Sequence, residues 1–514
     1  MPSSNLKRIG LFVLLAFAIL FFISPNSYTH DLFNRSDISW YFMCGKAWMN
    51  GMIPYVDFAD SKGPLLWLIY GVSYLISPYN YLGAFWLSVL AYSVVFYNVF
   101  RTANLFLHDD RKSFLATVLM LLAFFWPWFH YEVKGEDWCQ PFIVMSIYYI
   151  CKLLYTNDEP VNRRAYKACF VLGISLAATL LIKFTITAML GLMSLYVLVA
   201  MIRKRSNILV SILTGLAGFS VIALPFAVYM LSVGNFSAFI HEYFISTTQT
   251  LESTNEFAVY VREWLMTILD GRLFCLFVVA CYGSYMMSKM VNNNRFFFII
   301  GFLCFYAIAI HHYYYTYPYY LNACAIFLIF VIIPVLAKYD TIGKWKYRGI
   351  IVGTYVGIIF VNSFFLGFLL PTWWFRDNVA RTDFYNVTYL MSQIKNPTVL
   401  NYMSTETGRG VSVHAMPAIK YWAWQTGATK EMRNEQEQAI RNHVPDFVFI
   451  NDFEDGVEQR DSFLQAQSYK KLYEFELHQL NFSVYSKHQG LHQAPADFHV
   501  SNMDVLLKRN IFMK

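Results

Sequence analysis

Residues 168–202 read ACFVLGISLAATLLIKFTITAMLGLMSLYVLVAMI. This 35-residue run carries a single charge, Lys183. One helix crosses a hydrocarbon core of about 30 Å with about 20 residues. The run therefore exceeds one crossing and suits two short or tilted helices that turn at the lysine. Arg163, Arg164 and Lys167 precede it, and Arg203, Lys204 and Arg205 follow it. Basic loops of this kind stay on the cytoplasmic side, so both feet of the hairpin are expected inside. A lone lysine at the turn is costly unless it reaches water, a headgroup or an anion. This stretch makes the chain a polytopic α-helical membrane protein.

The same reading extends outward. Lys7 and Arg8 precede an apolar run from Ile9 to Ser24 with no small-residue cleavage site after it, which suggests an uncleaved first helix. Further spans are expected near 81–100, 114–129, 139–155, 168–182, 185–202, 208–232, 273–288, 296–311, 318–337 and 349–370. Other basic clusters fall at Arg101/Arg111/Lys112, Lys289/Arg295 and Lys338/Lys344/Lys346/Arg348. All come out cytoplasmic only if the apolar run from Gly63 to Ser77 does not cross. Taking that run as an interfacial or re-entrant helix gives about eleven transmembrane helices, with the N-terminus inside. The outer segments are then 25–80, 130–138, the 182–185 turn, 233–272, 311–317 and everything after 371.

Composition agrees. Hydrophobic residues make up 57% of the 514 and charged residues 14%, with a mean hydropathy of +0.39. Soluble domains carry roughly 25% charge, so a soluble, disordered or coiled-coil protein is excluded. From Trp373 onward 15 basic residues meet 16 acidic ones, whereas the preceding part has 25 against 17. That excess lies in short loops rather than in a continuous stripe, which argues against nucleic acid as a partner. The eight cysteines lie mostly in apolar runs with no CxxC pair, so neither a disulfide framework nor a zinc site is expected. After residue 371 the chain turns polar, with short apolar runs such as Asp446 to Asn451 and a helix-like stretch from Lys430 to His443. Two domains are expected: a transmembrane one over 1–370 and a small extracytoplasmic α/β domain over 371–514.

The chemistry-bearing residues gather in the outer segments. The first holds Asp37, Asp57, Asp60 and Lys62, and the second holds Glu132, Lys134, Glu136 and Asp137. In the plainest reading these are interfacial charges, with Asp57 and Asp60 capping local helices. In the sharper one they line a shared polar cavity. Lys183 either snorkels to the interface or meets a phosphate. The segment from His311 to Tyr320 reads His-His-Tyr-Tyr-Tyr-Thr-Tyr-Pro-Tyr-Tyr. Most of its tyrosines suit an aromatic belt, while His311, His312 and Tyr315 offer donors to a phosphate or a sugar. A zinc site would need a third ligand at compatible spacing, and no HExxH pattern exists.

The order Asp37…Gly51-Met-Ile-Pro-Tyr-Val-Asp57-Phe-Ala-Asp60-Ser-Lys62-Gly-Pro64-Leu-Leu resembles the first extracytoplasmic loop of GT-C glycosyltransferases. Among these are protein O-mannosyltransferases and lipid A aminoarabinose transferases. The short acidic second loop (Gly135-Glu-Asp), the lysine in Leu181-Ile-Lys-Phe-Thr185, the late Tyr/His-Pro segment and a C-terminal soluble domain come in the same order. Ile38 follows Asp37, so the Asp-Glu pair of the mannosyltransferases is missing.

The resemblance implies transfer of a sugar from a polyprenyl-phosphate carrier, outside the cytoplasmic membrane, to a lipid, glycan or protein acceptor. It implies Asp37 as general base, Glu136 as a second catalytic carboxylate, and Asp57, Asp60, Lys62, Lys183, His311, His312 and Tyr315 as substrate-binding residues. Lysines can take the charge of a departing lipid phosphate, so no cofactor or obligatory metal is expected. The alternatives are a transporter or flippase of lipid-linked sugars, which calls for inverted repeats and mid-membrane charges, and a non-catalytic scaffold.

Overall fold

The computed structural model describes residues 5–24, 26–28, 36–125, 133–247, 271–292, 318–338, 378–404, 406, 408–423, 429–452, 456–477 and 480–495. The expected spans at 296–311 and 349–370 lie outside these. The chain divides into two compact units. One comprises 1–24, 88–228 and 251–371, the other 25–87, 229–250 and 372–514.

In the first unit the apolar runs form helices: α1 (Asn5–Ile23), α4 (Leu82–Leu107, which starts in the second unit), α5 (Asp110–Phe124), α6 (Gly135–Tyr155), α7 (Val161–Ile182), α8 (Phe184–Arg203), α9 (Ile208–Ser232), α10 (Gly271–Met290) and α11 (Ile329–Ala337). Five described helices are long and apolar enough to cross a membrane: Leu6–Ile23, α4, α7, α8 and α9. The hairpin at Lys183 is present. That residue takes an extended backbone that ends α7 and starts α8. The run at 318–337 is not one α-helix. It begins as an 11-residue 3-10 helix, Pro318–Leu328, before α11.

Helix α6 packs on α7, α7 on α8, and α10 on α11. Polar ties join one set of helix ends. Arg8 donates to Asp110 at 2.7 Å, and Glu159 receives Lys152 and Lys167 at 2.9 and 2.7 Å. The backbones of α7 and α9 touch. A Cβ on Gly173 would run into the carbonyl of Gly215, and one on Gly218 into that of Phe170. Small residues permit such approach between membrane helices. Gly173→Val is therefore expected to push the pair apart and cost about 1–3 kcal/mol. A lowered midpoint of thermal inactivation in detergent checks this.

The second unit starts with two helices, α2 (Ser36–Met49) and α3 (Pro64–Ile76). Helix α2 lies where the sequence suggested a loop, while α3 falls on the run from Gly63 to Ser77 that was expected to be helical. The 13 residues of α3 span about 20 Å, short of a hydrocarbon core. The two helices pack closely because Gly45 leaves no room for a Cβ against the backbone of Gly71.

After α12 (Asn378–Ser392) the tail forms a five-stranded sheet from β1 (Thr398–Asn401), β2 (Met416–Pro417), β3 (Phe447–Asn451), β4 (Lys470–Leu477) and β5 (Leu480–Ser486). The order is β2-β1-β3-β5-β4, with β1 parallel to β2 and β3, and β5 antiparallel to β3 and β4. All five residues of β3 are buried, as suits a central strand covered on both faces. The helices α13 (Lys430–Arg441) and α14 (Val457–Ala466) contribute Ile440 and Leu464 to a core with Leu400, Val448, Ile450 and Tyr485.

A buried lysine anchors α2 to the loop before β2. Lys46 is fully buried and donates to the carbonyls of Gly410 and Val413 at 2.7 and 2.9 Å. Burial pushes its ammonium down to about 7, against the pull of Glu406. The folded value lies below the unfolded one of about 10.4, so between them the unfolded chain binds more protons and stability rises with pH. Lys46→Met strips both carbonyls of their donor, at about 1–3 kcal/mol. The melting-point gap between wild type and Lys46→Met is expected to widen from pH 7 to pH 9. A gap independent of pH would contradict this.

Candidate functional site

Two polar clusters hold the described site residues, one in each unit. The first is built on α2 and the loop that follows it. Asp37 sits in the first turn of α2, half-buried. The chain then turns at Gly51 (φ +91°) and again at Tyr55, whose φ of +63° is unusual for a residue with a side chain. Asp57 makes this turn: its carboxylate accepts from the Ile53 N–H at 2.6 Å. Asp57 thus closes a turn and does not cap a helix.

Asp60 differs. It is buried, and its Oδ1 accepts from the Ser61 N–H at 2.6 Å and from the Ser61 hydroxyl at 3.2 Å. Lys62 donates from Nζ to Ser61 Oγ at 2.8 Å, and its carbonyl accepts from the Tyr55 hydroxyl at 3.0 Å. Burial raises the proton affinity of Asp60 above the usual carboxylate range. Lys62 and Ser61 oppose this, and the negative charge of Asp37 adds to it. Asp37, Asp60 and Lys62 thus share one electrostatic neighbourhood. Tyr55 and Phe58 pack on Trp67 of α3, with ring centroids 4.6 and 5.2 Å apart, and hold the loop from beneath.

The second cluster lies where α6 starts and α7 meets α8. Glu136 is 2% exposed and pairs with the ammonium of Lys183, whose side chain is 15% exposed. The neighbouring Asp137 closes the first turn of α6 by accepting from the Lys134 N–H at 3.0 Å. Its other oxygen receives Asn322 Nδ2 at 2.7 Å and the Tyr92 hydroxyl at 3.1 Å. Gln140 donates to the Asn322 carbonyl. Glu136 and Lys183 were expected to act, and the structure brings them into one ion pair.

Asn322, Tyr92 and Gln140 escaped sequence reasoning. Their signal was faint: single polar residues in otherwise apolar runs, which alone do not say which helix they face. His311, His312 and Tyr315 lie outside the described residues, as does Glu132. Among the described residues no group of three His, Cys, Asp or Glu is arranged to hold a metal ion.

The fold has solved counterparts. ArnT from Cupriavidus metallidurans bound to undecaprenyl phosphate matches at a TM-score of 0.63 and 13% identity, over 95% of this chain and 99% of that one. Apo ArnT from the same organism matches over the same shares, at 0.59 and 13%. The chain has an ArnT-like fold. At this identity the likeness speaks for the fold alone. With its apolar helices, the chain is a multi-pass membrane protein. No protein-family model matches the sequence, and no curated protein does. The ArnT-like fold extends over nearly the whole chain.

Proposed function

We propose that this protein is a glycosyltransferase that moves a hexosyl or pentosyl group from a polyprenyl-phosphate carrier to an acceptor hydroxyl, at the outer face of the cytoplasmic membrane. The observation that carries the reading is the neighbourhood of Asp37, Asp60 and Lys62 on an ArnT-like fold. A lipid-linked donor needs a site at the membrane surface with a base for the acceptor and cations for the phosphate. The α2 loop supplies both kinds of group.

In this reading the Asp37 carboxylate takes the acceptor's hydroxyl proton. The freed oxygen bonds to the anomeric carbon as the bond from that carbon to the phosphate oxygen breaks. The carrier leaves with the electron pair, as a phosphate monoester. Lys62, Lys183 and His312 neutralise the charge that develops on it. Lysines in that role make a metal dispensable. Glu136 keeps Lys183 oriented and adds a carboxylate for the acceptor. Asp57 shapes the loop and Asp60 sets its polarity, while His311 and Tyr315 contact the donor. The acceptor is a lipid, a glycan or a protein.

The test is to incubate membranes containing the protein with a panel of radiolabelled polyprenyl-phosphate sugars, and to follow the label. Label on a new acceptor supports transfer. Label that stays on its carrier and changes leaflet would replace this reading with a flippase.

A further inference from the structure

The loop with Asp57, Asp60 and Lys62 is held by a segment far away in sequence. After α9 the chain turns through Gly234 (φ +72°) and forms a short helix, Phe236–Phe239, that widens into a π-helical turn, Ile240–Ser246. Such turns are rare and often mark functional sites. Asn235 is 1% exposed and donates from Nδ2 to the Pro54 carbonyl at 2.7 Å. The Phe239 ring packs on that of Tyr55 in a tilted arrangement, with centroids 5.3 Å apart. This end of the segment thus grips the start of the loop.

The π-turn grips the other end through the segment that follows β2. Glu242 is 8% exposed, and its Oε1 receives Lys420 Nζ at 2.6 Å, the Tyr421 hydroxyl at 3.0 Å and, more distantly, His241 Nδ1 at 3.4 Å. The same Lys420 offers its backbone carbonyl to the Ala59 N–H at 3.0 Å, one residue before Asp60. Two further hydrogen bonds hold the peptide at 420–422. Gln436 Nε2 donates to the Tyr421 carbonyl at 2.7 Å, and the Asn401 N–H to the Trp422 carbonyl at 2.7 Å. Glu435 is the further carboxylate that senses both Lys420 and Glu242. One tripeptide, Lys420 to Trp422, therefore joins the sheet, the π-turn and the loop.

We propose that Asn235 and Glu242 form a clasp that sets the loop in its working position, with Glu242 and Lys420 as positioning residues for donor binding. The clasp counters the strain of the left-handed Tyr55, which a loop free to relax would not keep. The Glu242 carboxylate and the Lys420 ammonium face each other with little water, and either one alone would be a poorly solvated charge. The sheet thereby controls the carrier-binding loop without touching the carrier.

The donor-binding half of this inference rests on the transferase reading; the clasp itself does not. The experiment uses the full chain in detergent. Backbone hydrogen exchange is measured over residues 53–60, where the N–H groups of Tyr55, Val56, Asp57 and Ala59 are bonded. In Glu242→Ala these amides are expected to exchange about tenfold faster while the α6–α7 hairpin is unchanged. The KM for a polyprenyl-phosphate sugar should rise about tenfold at nearly constant kcat. Exchanging the charges, Glu242→Lys with Lys420→Glu, restores both values. Lys420→Met, which keeps the backbone carbonyl, serves if Glu242→Ala fails to fold. Unchanged exchange in the loop overturns the clasp, and faster exchange with wild-type KM overturns its role in binding. If the wild type moves no sugar from any donor, the transferase reading falls and the exchange data alone decide the clasp.

Discussion

Asp37→Asn is expected to leave a protein that folds, inserts and extracts as wild type does but transfers sugar roughly 10²–10⁴-fold more slowly, the usual worth of a positioned general base. Asparagine keeps the shape and the acceptor oxygen of aspartate but cannot take up a proton. Asp37 is half-buried in the first turn of α2, where a carboxylate gains about 0.3–1 kcal/mol from the helix dipole. Losing that gain is a small effect on folding, so stability and catalysis separate at this position. The measurement is initial transfer rate against donor concentration, beside a melting curve. The expected split is a collapsed kcat with little change in KM. Asp60 is the control, because burial has raised its proton affinity and it lies near Asp37. Full turnover in Asp37→Asn with loss in Asp60→Asn would move the base to Asp60. Full turnover in both would remove the base from this loop.

Breaking the pair of Glu136 and Lys183 is expected to have the largest effect on folding. Glu136 is 2% exposed and Lys183 15%, so either one left alone is a charge with little water. Removing one partner of a buried ion pair costs about 3–5 kcal/mol. Lys183→Met and Glu136→Leu should each lower the melting temperature sharply. The double variant, with two apolar side chains in contact, should recover most of that loss. Transfer should not recover with it, since in our reading Lys183 meets the phosphate. Recovery of both stability and turnover would reduce the pair to a structural role. Single variants that melt like wild type would show that solvent reaches the pair.

How far the sequence could be read varies by residue. The helical hairpin turning at Lys183 was legible because one charge in 35 residues admits few other solutions. The amphipathic stretch near Lys430 was legible for a similar local reason: Thr429 caps it, accepting from the Met432 N–H at 3.3 Å. Helix α2 was not, because its mixed sequence of Asp37, Trp40, Gly45 and Lys46 has no clear apolar face. It is helical because Gly45 lets it press against α3 and because Lys46 finds two carbonyls far along the chain. Likewise Pro318–Leu328 is apolar enough for an α-helix, yet it winds more tightly where Gln140 and Asp137 claim Asn322.

By itself the sequence determined the features that depend on composition and on neighbours in the chain. It made this a membrane protein, marked the turn at Lys183, and picked out the acidic loops where polar chemistry concentrates. The cost of placing charge in hydrocarbon is a property of composition and can be read without coordinates. Only the tertiary structure decided which charges meet. It joined Glu136 to Lys183 and Asp137 to Asn322, set Asp57 to shaping a turn, and gave Glu242 the task of fastening a loop through Lys420. Apart from the local turn at Asp57, those pairings join residues tens to hundreds of positions apart. Their energies depend on burial and distance, which exist only once the helices and the sheet have packed.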